Sequence, residues 1–77
     1  MQLNQLIVDE NNMAFHPAMG NSYQVNDVAR EIISFLKDGK TKEQIVENIT
    51  EKYQADKKEV FIDVSDFLAK LKVYRLV

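Results

Sequence analysis

The sequence predicts an α+β fold in one domain, residues 1–77: a three-stranded antiparallel sheet followed by three helices. Three observations carry this. Up to Asn26 the apolar residues come in short runs bounded by turn formers, and beyond it they recur at helical spacing. A chain of 77 residues is also too short to bury two separate cores.

The strand segments are Leu6-Ile7-Val8, Met13-Ala14-Phe15-His16 and Ser22-Tyr23-Gln24-Val25. Asp9 to Asn12 separates the first two, and a turn running from Pro17 to Asn21 separates the second and third. Within the strands, Leu6 with Val8, Met13 with Phe15 and Tyr23 with Val25 sit two apart, so each pair is expected to face the helices. Asn26 is the expected N-cap of the first helix, whose stripe is Val28, Ala29, Ile32, Ile33, Phe35 and Leu36, and Gly39 ends it. Thr41 with Gln44 forms a capping box ahead of Ile45, Val46, Ile49 and Tyr53. Asp56 with Glu59 repeats the box, opening a longer helix with Val60, Phe61, Val64, Phe67, Leu68, Leu71 and Tyr74 on its core face. The arrangement is winged-helix-like, with its strands moved to the front of the chain.

Composition narrows the function. Ten Lys and Arg against twelve Asp and Glu leave a formal charge of −2, which lacks the basic excess of a phosphate-gripping protein. There is no cysteine, hence no disulfide and no thiolate nucleophile or metal site, and a reducing cytoplasm is the expected location. Apolar runs stop at three residues, far short of the roughly 20 that span a bilayer, and the N-terminus lacks the basic residues of a signal peptide. His16 is the single histidine and reads as an exposed strand-end residue rather than a catalytic base. Asp63 and Asp66, at i and i+3, read as a solvated helix face rather than a cation site. Gly20 and Gly39 are isolated, so no phosphate loop is present. A carrier protein would present a serine at a helix start, whereas Ser34 and Ser65 are mid-helix. No catalytic residue, metal or cofactor is expected, which leaves binding.

Two features suggest where a partner sits. The third strand is an edge without the Lys, Pro or bulge that normally blunts one, so it is either sealed in a homodimer or open to a peptide that adds as a further strand. On the last helix, Ile62, Ala69 and Val73 make a thin second apolar line beside Asp63, Asp66 and Lys70. That line either borders a groove or is ordinary surface scatter. The same helix balances Lys57, Lys58, Lys70 and Lys72 against Asp56, Glu59, Asp63 and Asp66, so the competing reading, a winged-helix transcriptional regulator, has no phosphate-binding stripe.

The order Leu36-Lys37-Asp38-Gly39-Lys40-Thr41, then Asp63-Val64 with Phe67-Leu68 and Leu71, together with Val25-Asn26, Ala29, Ile32-Ile33, Glu43 to Ile45 and Tyr53, resembles the PqqD family of small peptide-binding proteins. The likeness runs from about residue 6 to residue 77. It implies a RiPP recognition element: a non-catalytic chaperone that takes the leader of a ribosomal precursor peptide as an added strand and delivers it to a modifying enzyme, often of the radical S-adenosylmethionine type. Carried onto this chain, the edge is Ser22, Tyr23, Gln24 and Val25 and the helix wall comes from the segment Val60 to Val73, where the line read above, Ile62, Asp63, Asp66, Ala69, Lys70 and Val73, gives the expected peptide contacts; no nucleic acid and no membrane are expected. Two positions depart from the family's pattern. Ile33 stands where an aromatic is frequent, and Arg75 stands where the family closes with a glycine.

Overall fold

The computed structural model describes residues 2–18 and 20–77, so Met19 of the predicted turn lies outside the described residues. A short 3₁₀ turn, Gln2–Gln5, which the sequence reading did not foresee, precedes β1 (Ile7–Val8), β2 (Met13–His16) and β3 (Asn21–Gln24). The helices are α1 (Asp27–Lys37), α2 (Lys42–Tyr53) and α3 (Lys57–Val73). The sheet is an antiparallel meander in the order β1-β2-β3, as expected.

The phase of β2 differs from expectation. Ala14 and His16 point into the protein, Phe15 is 42% exposed, and Met13 is only half-buried. Register explains this: Ala14 lies opposite Val8 and Tyr23 on the inner face, while Ile7, Phe15 and Ser22 align on the outer one. His16 follows the same phase and is fully buried, so it is no exposed strand end.

Each helix start is capped as its sequence requires. Asn26 Oδ1 accepts from the Ala29 N–H at 2.7 Å, and the Thr41–Gln44 box closes in both directions. Asp56 accepts from the Lys58 N–H at 2.8 Å, one residue before the position the expected box would use. The three ends share one design, in which a left-handed residue lets the next N–H reach back five residues. Lys40 N–H donates to Phe35, Ala55 to Thr50 and Leu76 to Leu71. Glycine fills the left-handed position only at Gly39; Gln54 and Arg75 hold it at φ 49° and 60°. Arg75 thus takes the conformation that glycine would adopt more cheaply.

The core has two halves. Leu3, Leu6, Ala14, Ile33, Leu71 and Leu76 pack between the sheet, α1 and the end of α3. Ile32, Ile45, Val46, Ile49, Val60 and Val64 join the three helices. Leu36, Phe67 and Leu68 touch both. Two members of the predicted α3 stripe are instead half-exposed: Phe61 lies under the Lys42 ammonium, 4.2 Å from its ring centre, and Tyr74 leans on Tyr23. Tyr53 is half-exposed too, and its hydroxyl donates to Glu31 at 2.6 Å while Lys52 pairs with the same carboxylate. Burial raises the Glu31 pKa, but hydrogen bonds from Lys52 and Tyr53, with the lysine's charge, outweigh it and hold the carboxyl below its ordinary value. The chain ends are tied by the Leu3 N–H donating to the Leu76 carbonyl at 2.8 Å.

Candidate peptide groove

The edge of β3 has a definite polarity. Val25 N–H donates to Asn12, and bonded and non-bonded pairs alternate along an antiparallel ladder. Tyr23 therefore turns its backbone groups toward Ala14, while those of Ser22 and Gln24 point to the open side. Val25 lies just past the strand, with its N–H already committed to β2.

Beside this edge runs a groove between β3 and α3, floored by α1. Its first cavity, about 310 Å³, is walled by Tyr23, Gln24 and Val25 on one side and by Phe67, Lys70, Leu71 and Tyr74 on the other. Ala29 and Ile33 lie beneath. Tyr23 and Tyr74 meet across its end with ring centres 4.6 Å apart, tilted by 39°. Such a pair keeps an apolar body in the groove and leaves the hydroxyls free to face water. The second cavity, about 380 Å³, continues past Asn26 and Phe67 toward the start of α1, where Val28 and Ile32 form its floor and Asp63 and Asp66 its rim. Lys70 borders both cavities.

Of the residues singled out in the sequence, Tyr23, Gln24, Val25, Asp63, Asp66 and Lys70 border these cavities. Ser22 presents its backbone to the edge and its side chain to the outer face. Ile62, Ala69 and Val73 line neither cavity; they stand on the exposed crest of α3, Val73 being 77% exposed. Phe67 and Tyr74, which their spacing assigns to the core, also wall the groove: Phe67 packs on both core halves as well, while Tyr74 is half-exposed. For Tyr74 the available signal was its hydroxyl, which a fully buried position at a helix end would leave unpaired. Among the described residues no group of three or more metal-ligating side chains exists, and no helix is long and apolar enough to cross a membrane.

The fold is similar to two solved structures. One is described as lasso peptide synthetase B1 complexed with the leader peptide, with a TM-score of 0.78 at 20% identity, covering 90% of this chain and 82% of that one. The other is TbiB1 in complex with the TbiA(beta) leader peptide, with a TM-score of 0.80 at 29% identity, covering 92% and 84%. No curated protein matches the chain significantly. The family model described as Coenzyme PQQ synthesis protein D (PqqD) matches residues 11–77. That span takes in β2, β3 and all three helices, and this chain belongs to the PqqD family.

Proposed function

We propose that the protein is a non-catalytic peptide-binding module, a RiPP recognition element that holds the leader of a ribosomal precursor peptide as a fourth strand on β3 and presents the rest to a modifying enzyme. The observation that carries this reading is an open strand edge lying along an apolar groove. Ser22 and Gln24 offer two outward N–H and two outward C=O groups, and the cavities beside them accept alternate side chains of the added strand. The two solved relatives, each described with a leader peptide, support it, and neither they nor the family match points to DNA. A radical S-adenosylmethionine enzyme is the proposed recipient, in keeping with the resemblance, and the cytoplasm the proposed location. The same edge would seal a homodimer, so the two uses compete for the same bonds.

Amide hydrogen exchange at low protein concentration, with and without a candidate leader encoded beside this chain, tests the proposal. Ser22 and Gln24 should exchange freely in the free protein and slow when peptide binds, while Tyr23 and Val25, already in the ladder, change little. Ser22→Pro and Gln24→Pro remove an outward donor without removing a ladder bond, so both should abolish binding with the fold intact. Ser22 and Gln24 protected before peptide is added, or unprotected after it, would sink the strand-addition mechanism.

A further inference from the structure

The groove holds two cavities rather than one, and they differ in character. The first is closed by the rings of Tyr23, Tyr74 and Phe67. The second has an aliphatic floor of Val28 and Ile32 beneath a rim that carries two carboxylates, Asp63 and Asp66, against the single ammonium of Lys70. Among the described residues neither carboxylate has a cation within 4.0 Å. They are neighbours one turn apart on α3, so both reach the same mouth.

The added strand sets the spacing. Side chains on one face of a strand recur every second residue, about 6.7 Å apart, and the two cavities adjoin, sharing Asn26, Ala29, Phe67 and Lys70 in their walls. Resting on the peptide-groove reading above, we infer that the second cavity is a specificity pocket for a lysine or arginine of the leader, placed two residues from the large apolar side chain that fills the first. The aliphatic stem of such a residue covers Val28 and Ile32 and its cationic head reaches the Asp63 and Asp66 rim, matching a floor that is apolar and a mouth that is negative. An acidic residue at that peptide position meets two like charges and is rejected. A purely aliphatic one fills the floor and leaves the carboxylates without a partner.

The test needs no knowledge of the natural leader. A displayed library of random twelve-residue peptides is selected on the protein, and an enriched sequence is synthesised with its basic residue and with norleucine in its place. Enriched peptides should carry an aromatic or large aliphatic residue and, two positions away, Lys or Arg. The double variant Asp63→Asn with Asp66→Asn should weaken the lysine peptide about three- to tenfold, on the scale of a partly exposed ion pair, and the norleucine peptide less than twofold. Selection of peptides that need the edge, shown by loss of binding to Gln24→Pro, but that lack a basic residue at this spacing or bind the Asn variant equally well, overturns the pocket and leaves the groove reading standing. Selection of nothing, or of peptides indifferent to Gln24→Pro, overturns the groove reading and the pocket with it.

Discussion

Arg75 shows how a single residue can be held against its own preference. Its φ of 60° is imposed because Leu76, the next residue, must turn back to bury its side chain and donate to Leu71. Left-handed backbone costs a residue with a Cβ about 1–2 kcal/mol, and glycine loses about 0.5–1 kcal/mol through a freer unfolded chain. Arg75→Gly should therefore stabilise the protein by roughly 0.5–1 kcal/mol, visible as a higher urea midpoint with unchanged slope. A lower midpoint would mean that the arginine side chain contributes more than its backbone costs. Glu31 carries the second residue-scale prediction. Because its folded pKa lies below the unfolded one, near about 4.3, its stabilising effect is complete above that pH and fades as pH falls through the folded value. Its partner Lys52 is well exposed, so the effect stays under about 1 kcal/mol. On acidification from pH 6 to pH 3, Glu31→Gln should lose less stability than the parent; equal losses in thermal melts would remove Glu31 from the account.

Elements were legible in the sequence to different degrees, and the physical reason differs for each. The helices announced themselves through caps, stripes and the Gly39 stop, because 3.6-residue periodicity accumulates over eleven residues or more. β2 did not, since Met13, Ala14 and Phe15 are all apolar and a four-residue strand offers only two positions per face. Bulk favours Met13 and Phe15 for the interior, yet the small Ala14 sits inward, where Val8 and Tyr23 lie opposite it and leave little room. The groove was half-legible. Its edge followed from missing gatekeepers, but which side of α3 faces it depends on how α3 crosses α1, and no local pattern encodes that angle. Asp63, Asp66 and Lys70 border the cavities, whereas Ile62, Ala69 and Val73 stand one strip further round α3. The strand phase gives a direct prediction. Phe15→Thr, on the exposed face, should cost within about 1 kcal/mol, whereas Ala14→Asp buries an unpaired carboxylate and should cost several kcal/mol or unfold the chain. The reverse order in denaturant titrations would restore the inverted phase.

At the scale of the whole molecule, charge and shape agree with the proposal. The strands carry no basic residue, and α3 balances its lysines with carboxylates. Duplex DNA at about 50 mM salt should consequently bind no tighter than the non-specific range of roughly 10⁻⁴ to 10⁻⁶ M, and a sequence-dependent nanomolar complex in an anisotropy titration would reopen the regulator reading.

Phe67 touches both halves of the core and also walls both cavities of the groove. Anything seated there presses on the joint between the sheet half and the helical half, so occupancy and folding are thermodynamically linked. A ligand that binds only the folded chain raises its stability by RT ln(1 + [L]/Kd), about 2.7 kcal/mol at a hundredfold excess over Kd. Because the joint is shared, that increment reaches α2, which contributes no side chain to either cavity, and the protein should still melt in one step at a higher temperature. The melting temperature of this small domain then serves as a gauge of how much free peptide surrounds it.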